Sequence, residues 1–282
     1  MAYPTFPNYA TIDQTNIGAY ATVYFCQNKE NPEEEVAIKY IRPTDEPCPT
    51  TVVREISFLR MLRGERHIVQ FICVARMNQS FYITMQYGGE SLASHIWNAS
   101  LTPLGHVSDV DAEELMKGLV QSIGVLHSRN IMHRDLKPDN MLVKNGELSV
   151  CDLGTAKVVE QRADGVLTEL VNPPTWDTTH DVATLLYAAP EMLRRKVYGL
   201  PVDLWAAGCV VFEILTSEAA FPPRGEPCVT TMLTAITKKL LSPSWDMARP
   251  GAPRVCIRMM ECTFQRDPVN RASARALSRF VH

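Results

Sequence analysis

The chain has 282 residues, of which 46 % are hydrophobic and 21 % charged, and its formal net charge at pH 7 is −3. That is enough apolar material for a large core, in one domain or in two lobes. The charge gives no support for a nucleic-acid-binding or anionic membrane-binding surface, because both use an excess of basic residues.

The cysteine spacing and the N-terminal residues indicate in which cellular compartment the protein is expected. None of the 8 cysteines forms a C-x-x-C pair, so the usual spacing of a zinc site is absent. The N-terminus, Met-Ala-Tyr-Pro, lacks both the pattern of a secretory signal and the glycine that myristoylation needs. The longest apolar run, residues 204–215, is too short to span a bilayer. We expect a cytoplasmic or nuclear protein, or both, with no membrane and no nucleic-acid partner.

The first third of the chain is predicted to be mainly β-structure. Segments rich in β-branched and aromatic residues are predicted strands, at residues 10–12, 22–26, 36–41 and 81–85. Residues 51–62 place apolar side chains at helical spacing and charges on the opposite face, which predicts one helix among the strands.

The rest of the chain is predicted to be mostly helical. Helices are expected at residues 112–126, with Asp111 as N-cap, and at residues 202–215, 254–264 and 272–280. The change of pattern near Gly88-Gly89 predicts a small lobe of residues 1–87 and a larger one of 88–282, joined at 86–89.

The segment His133–Asn140 carries the residue types that phosphoryl transfer needs. Asp135 can accept the proton of an attacking hydroxyl, and Lys137 can stabilise charge on the transferring group. Asn140 offers a side-chain oxygen to a metal ion. Each residue alone could be an ordinary surface group, but together they complete the pattern H-R-D-L-x-x-x-N.

Two further motifs supply groups for a nucleotide and its metal. Asp152-Leu153-Gly154 offers a hard carboxylate for Mg²⁺, and the stretch from Asn140 to Asp152 is long enough for a hairpin. Lys39, on a predicted strand, can reach the α- and β-phosphates, and Glu55 on the following helix can hold its charge. Each of these two could equally be a solvated charge if it stood alone.

The loop Asn16–Val23 is the weakest of the motifs. A phosphate-covering loop normally has three glycines, and here Gly18 is accompanied by Asn16 and Ala21 in the other two places. We expect altered loop dynamics or weaker ATP binding. Alone, the segment would pass for an ordinary hairpin, and a dinucleotide-binding module is set aside because no βαβ unit surrounds Gly18.

Together these motifs resemble those of eukaryotic protein kinases, most closely the cyclin-dependent and MAP-kinase (CMGC) group, over essentially the whole chain. Pro49–Glu55 resembles the helix that cyclins grip, and residues 179–191 the end of the activation segment. Asp203 resembles the anchor of the catalytic loop, and Arg271 the ion-pair partner of Glu191. The resemblance implies an α+β, bilobal protein kinase fold, with a small antiparallel β N-lobe bearing one regulatory helix and a larger, mainly helical C-lobe.

The resemblance also implies an activity. Lys137 beside Pro138 is the serine/threonine pattern, so the chain would transfer the γ-phosphoryl group of ATP to protein substrates, with Asp135 as base and Thr184 bonded to Asp135 and Lys137. Mg²⁺ would be held by Asn140 and Asp152. ATP would be contacted by residues from both lobes, including the gatekeeper Met85: Ile17, Gly18, Ala21, Val23, Ala37, Lys39, Met85, Gln86, Gly88, Ser91 and Leu142.

Regulation is implied by the same resemblance. A cyclin-like subunit would bind at Pro49–Glu55 and swing Glu55 onto Lys39. Thr179, or the adjacent Thr178, would be phosphorylated and dock on a basic cluster of Arg54, Arg134 and Lys157. Tyr20 would be an inhibitory phosphorylation site, unless its ring packs in the loop. The regulatory spine would be Leu59, Phe71, His133 and Leu153.

The chain departs from that group in the phosphate loop and in three further places. Leu153 replaces the usual phenylalanine, and the stretch from Asp152 to Glu191 is long for this group. Ala188 replaces an arginine that helps to select proline after the phosphoacceptor, so proline-directed specificity is in question. Two functions stay open: an active kinase that needs an activating subunit, or a catalytically weak, kinase-like ATP-binding scaffold.

Overall fold

The structure, a computed structural model, describes residues 6–17, 21–43, 49–159, 182–241, 245 and 249–279. The chain divides into two compact units: the first runs to Gly89 and also includes Cys151–Thr155, and the second holds Glu90–Val150 and Ala156 onward. In its described residues the first unit is a sheet with one α-helix, and the second unit is mainly helical, which confirms the predicted α+β class. The predicted lobes of 1–87 and 88–282 stay a prediction, and they did not include the return of Cys151–Thr155 to the first unit.

The sheet of the first unit is antiparallel and has the strand order β1-β2-β3-β5-β4. Its strands are β1 (Tyr9–Ile17), β2 (Ala21–Asn28), β3 (Glu35–Ile41), β4 (Phe71–Met77) and β5 (Ser80–Gln86). The four predicted strands are confirmed. The edge strand β4 was missed because most of its side chains are exposed, so it lacks the alternation of a half-buried strand.

The two faces of this sheet carry different residues. Val23 pairs with Lys39 and Ala37 with Met85, and since side chains alternate along a strand these four share one face. The opposite face is an aromatic cluster, in which Phe6 covers a core made by the next residues along each strand: Tyr24, Cys26, Val36 and Ile38, with Tyr9, Tyr40 and Tyr82 at the margin. Lys29 Nζ donates to the carbonyl oxygens of Phe6 and Pro7, each at 3.0 Å, and so fastens this segment over the sheet.

Helix α1 (Thr50–Met61) begins directly after Pro49 and confirms the predicted helix. It buries Val52, Glu55, Phe58 and Leu59, the spacing of one helical face. Glu55 is the one charged residue on this otherwise apolar buried stripe, and it pairs with Lys39 on β3.

The second unit contains helices α2 (Leu92–Ser100), α3 (Asp109–His127), α4 (Val182–Leu185), α5 (Pro190–Leu193), α6 (Pro201–Thr216), α7 (Val229–Leu241), α8 (Arg254–Thr263) and α9 (Ala274–Ser278). It also has the short strands β6 (Glu90–Ser91), β7 (Ile131–Met132), β8 (Met141–Lys144), β9 (Glu147–Val150) and β10 (Lys157–Val158). The hairpin β8–β9 is the one predicted after Asn140. Helices α2, α4, α5 and α7 were not predicted, and within the described residues the last helix is shorter than 272–280.

The N-cap of α3 was predicted wrongly. It is Ser108, whose Oγ accepts the backbone N–H of Asp111 at 3.2 Å. The hydroxyl of Ser108 in turn donates to Asp111 Oδ2 at 2.6 Å. Asp111 therefore lies in the first turn, where its negative charge also suits the helix dipole.

The buried helix α6 is the centre of the second unit. From Val202 to Leu215 every residue except Glu213 is buried, as the apolar pattern predicted. Trp205 stacks on Phe221 with ring centroids 5.0 Å apart and meets Phe264 edge-on at 5.3 Å. Among the described residues, no helix has both the length and the apolar character needed to cross a membrane.

Candidate active site

The residues predicted for phosphoryl transfer meet around Asp135 in the second unit. Thr184 Oγ1 donates to Asp135 Oδ1 at 3.0 Å and accepts a hydrogen bond from Lys137 Nζ at 2.9 Å, as predicted. Lys137 Nζ is also 3.1 Å from Asp135 Oδ2. Asn140 Nδ2 donates to the backbone oxygen and to Oδ2 of Asp135, each at 2.8 Å. One carboxylate is thus held by an ammonium, a hydroxyl and an amide.

This loop is anchored by the buried carboxylate of Asp203 on α6. The backbone N–H groups of His133 and Arg134 each donate to Asp203 at 2.9 Å, and Arg134 has a φ of 73°, the left-handed conformation of a tight turn. The anchoring role predicted for Asp203 is confirmed. Its contact with His127 Nε2, at 3.0 Å, was missed, because nothing in the pattern of α3 distinguishes His127 from a surface histidine.

Hydrogen bonding decides the charge of Asp203. Burial opposes ionisation, but the His127 bond, the nearby His133 and the backbone N–H of Arg134 hold the pKa of Asp203 below its ordinary value. The anchor is therefore an anion at neutral pH.

A second group of charges lies in the first unit. Lys39 Nζ donates to Glu55 Oε1 at 2.7 Å and Oε2 at 2.9 Å, and to Asp152 Oδ1 at 3.4 Å. Burial acts to lower the pKa of Lys39, but the carboxylates of Glu55 and Asp152 raise it overall, so this ammonium is charged at neutral pH.

The turn Asp152–Gly154 is held from both sides. Gly154 N–H donates to Asp152 Oδ1 at 3.3 Å, and Arg54 Nη1 donates to the carbonyl oxygen of Gly154 at 3.1 Å. A Cβ on Gly154 would stand 3.2 Å from Asp152 Oδ1, which is closer than an ordinary van der Waals contact. Glycine at this position avoids crowding that oxygen. Of the predicted spine, Leu59, Phe71 and Leu153 are buried in the first unit and His133 in the second.

The pairing of the strands brings most of the predicted nucleotide-binding residues of the first unit close together. Val23, Ala37, Lys39 and Met85 share one sheet face, and the backbone of Ile17 pairs with Ala21 beside it. At the predicted hinge, Gln86 N–H donates to Gln70 O and Tyr87 N–H to Glu35 O. In the described part of the chain the N–H of Gly88 has no such backbone acceptor.

The remaining predicted site residues lie in the second unit or outside the described residues. Ser91 and Leu142 pair across β6 and β8 in the second unit, and Ser91 Oγ is already used to cap α2. Gly18, Tyr20, Thr178 and Thr179 lie outside the described residues.

A hydrogen bond close to the Thr184 segment was not predicted. Tyr187 donates its hydroxyl to Glu213 Oε2 at 2.7 Å, and burial raises the pKa of both side chains. A signal existed, since Glu213 and Asp203 are the two charged residues in the apolar stretch 202–215. The predicted pair of Glu191 and Arg271 is confirmed, with contacts of 2.5 and 2.7 Å.

Comparison with known families agrees with these features. The family model of the protein kinase domain matches residues 9–280, nearly the full length of the chain. The match includes the Asp135 loop, the Lys39–Glu55 pair and the Asp203 anchor. The chain therefore belongs to the protein kinase family.

Proposed function

We propose that the chain is an ATP-dependent protein serine/threonine kinase that resembles a cyclin-dependent kinase. The supporting observation is the hydrogen-bonded group of Asp135, Lys137 and Thr184. A carboxylate oriented by a hydroxyl and an ammonium is suited to taking a proton from a serine or threonine hydroxyl. The Lys137 ammonium, beside that carboxylate, would offset the negative charge on the group in transfer.

The residues present fit ATP and Mg²⁺. Asn140 uses its Nδ2 on Asp135, so its side-chain oxygen is the atom left for a metal, and Asp152 adds a carboxylate. Both are the hard oxygen ligands that Mg²⁺ prefers. When bound, the ion would neutralise charge on the ATP phosphates. Lys39, fixed by Glu55, would bind the α- and β-phosphates, and Gly88 N–H would donate to adenine.

The proposed activating subunit would act on the position of α1. Glu55 is already 2.7 Å from Lys39, so in this conformation no swing of α1 is needed to form the pair. An activator at Pro49–Glu55 would then stabilise α1 in place. Val53 and Met61, about half exposed on α1, offer it apolar contacts.

A radiolabelled phosphotransfer assay tests the enzyme proposal. Wild type would be compared with Asp135→Asn and Asp152→Asn, with and without co-purified partners, on a mixed protein substrate. Removing the proposed base or the metal carboxylate should lower incorporation by roughly 100-fold or more. Asp13→Asn, an exposed aspartate on β1, is the matched control and should behave as wild type.

Two outcomes of this assay would contradict the proposal that the chain is an active kinase. Equal incorporation by wild type and both variants would mean that the activity comes from elsewhere. ATP binding without any incorporation, in the presence of partners, would favour the catalytically weak scaffold.

Substrate preference can be tested separately. Ala188 is buried and has only a methyl group where the resembling kinases have an arginine. We expect a peptide array to show no enrichment of proline after the phosphorylated residue. A strong preference for Ser-Pro or Thr-Pro would show that proline selection does not need that arginine here.

A further inference from the structure

Two adjacent residues of α1 reach the two charged groups that the first unit contributes to the proposed site. Glu55 holds Lys39 through both carboxylate oxygens, at 2.7 and 2.9 Å. Arg54 Nη1 donates to the carbonyl oxygen of Gly154 at 3.1 Å. Because neighbouring residues of a helix move as one body, a displacement of α1 would disturb both contacts together.

The Gly154 contact bears directly on Asp152. Gly154 is held by Arg54 through its carbonyl group and holds Asp152 Oδ1 through its N–H, at 3.3 Å. Asp152 has a φ of 56°, a left-handed conformation that non-glycine residues adopt sparingly. Its side chain is 27 % exposed, so burial alone does not fix its direction. The orientation of this carboxylate therefore depends on restraints such as the one that starts at Arg54.

We propose that Arg54 is a positioning residue for Asp152, which ties the turn 152–154 to α1 so that one helix sets both the Lys39 ammonium and the metal carboxylate. The inference rests on the proposed function, in which Asp152 binds Mg²⁺. An arginine suits the task, because its guanidinium stays charged and its hydrogen bond to a carbonyl is charge-assisted. Groups that orient a metal ligand commonly change metal affinity by about 10–100-fold when they are removed.

The test variant is Arg54→Met, which keeps much of the apolar stem and removes the donor. Binding of a fluorescent ATP analogue would be followed over a Mg²⁺ titration and also in EDTA. Hydrogen–deuterium exchange would be followed in the peptide that covers residues 151–155. We expect the Mg²⁺ concentration for half-maximal binding to rise roughly tenfold. Exchange in 151–155 should become faster, while binding in EDTA stays unchanged.

Two further variants sharpen the result. Arg63→Met removes an exposed arginine just beyond the end of α1 and should match wild type in every measurement. Arg54→Lys keeps a charged donor and should bring the Mg²⁺ concentration for half-maximal binding part of the way back to that of wild type, which a purely structural role would not predict.

Unchanged Mg²⁺ dependence and unchanged exchange in Arg54→Met would overturn the inference. So would an equal loss of binding with and without Mg²⁺, which indicates general damage to the fold. If Asp152→Asn also kept the Mg²⁺ dependence of wild type, the metal role of Asp152 would be the part that fails.

Discussion

Thr184 shows how much a single hydroxyl can organise. It is uncharged, yet it contacts both charged members of the proposed catalytic group, because a hydroxyl can donate to a carboxylate and accept from an ammonium at once. It therefore fixes the directions of Asp135 and Lys137 without adding charge.

Replacing Thr184 with valine tests this role. Valine has nearly the same shape but neither donates nor accepts, so we expect kcat to fall by roughly 10–100-fold through loss of orientation. The KM for ATP should change little, since the side-chain partners of Thr184 are Asp135 and Lys137, neither of which is proposed to bind adenine or the α- and β-phosphates. Steady-state kinetics would check this, with Thr184→Ser as the control that restores most of the rate. A valine variant with the kcat of wild type would contradict the assignment.

Asp203 gives the fold a predictable response to acid. Its pKa in the folded state lies below the ordinary value of 3.8, so its ionised form favours folding at every pH above about 4. That contribution is lost as pH falls through the folded-state pKa. Asp203→Asn should lower the free energy of unfolding by about 1–3 kcal/mol at pH 7.

The pH dependence separates this effect from general damage. In urea titrations the difference between wild type and Asp203→Asn should shrink between pH 7 and pH values below about 4, as the wild-type carboxylate takes up its proton. A difference that stays constant over this range would mean that the charge of Asp203 is not what stabilises the loop.

At the level of elements, the packing of α6 depends on a missing side chain. A Cβ on Gly208 would stand 2.9 Å from Phe264 Cε1 and would collide with Thr263 Oγ1. Gly124, inside α3, has nothing within 4 Å of the same position. The two glycines thus differ in what surrounds them, although both lie within helices.

This contrast makes a matched pair of variants. Gly208→Ala should destabilise the protein by about 1–3 kcal/mol, because the added methyl overpacks the contact with α8 and the residue after it. Gly124→Ala should be neutral or stabilising by up to about 1 kcal/mol, because alanine is the better helix former. Thermal or urea unfolding would compare them, and equal destabilisation would refute the packing argument.

Elements with a strong period were predictable, and those with mixed exposure were not. The apolar stripe on α1 and the nearly continuous apolar run of α6 each fitted a helix and no other element. Helix α7 buries only Met232 and Ile236 among its described side chains, and β4 is mostly exposed, so neither shows a clear pattern. The cap of α3 was misplaced because Ser108 and Asp111 are both good capping residues and only the backbone geometry chooses between them.

On the scale of the whole molecule, Arg271 joins parts of the second unit that are far apart in sequence. Its guanidinium contacts both carboxylate oxygens of Glu191, and Pro201 O at 3.1 Å. Its Nε donates to Gln265 O at 2.9 Å, and its charge lies 5.0 Å from the ring centre of Trp205. Contacts with α5, with α6 and with the segment after α8 therefore converge on one buried cation.

Removing this cation should be costly. Arg271→Met leaves the Glu191 carboxylate buried without its partner, and we expect a loss of about 3–5 kcal/mol in the free energy of unfolding. The exposed Arg275→Met, four residues further on, serves as the control and should stay within about 0.5 kcal/mol of wild type. A loss as small as that of the control would mean that the pair is replaceable. The double variant Arg271→Met with Glu191→Gln should recover part of the loss.

The reaction chemistry could be predicted from sequence because its residues stand close together, from His133 to Asn140. The contacts between distant residues came from the resemblance and not from spacing: Asp203 with the backbone of His133, and Arg271 with Glu191. Neither source indicated that Arg54 would bond to Gly154, because that contact depends on how a helix meets a turn about 100 residues later.

The aromatic residues are divided between the units in a way that affects how folding can be observed. Of the four tryptophans, Trp97, Trp205 and Trp245 belong to the second unit and Trp176 lies outside the described residues, whereas the first unit has tyrosines such as Tyr24, Tyr40 and Tyr82. The fluorescence of Trp97, Trp205 and Trp245 therefore reports on the second unit. Fluorescence and circular dichroism curves that coincide would indicate cooperative unfolding of both units. A Tyr82→Trp variant, beside Phe6, would give the first unit its own emission signal.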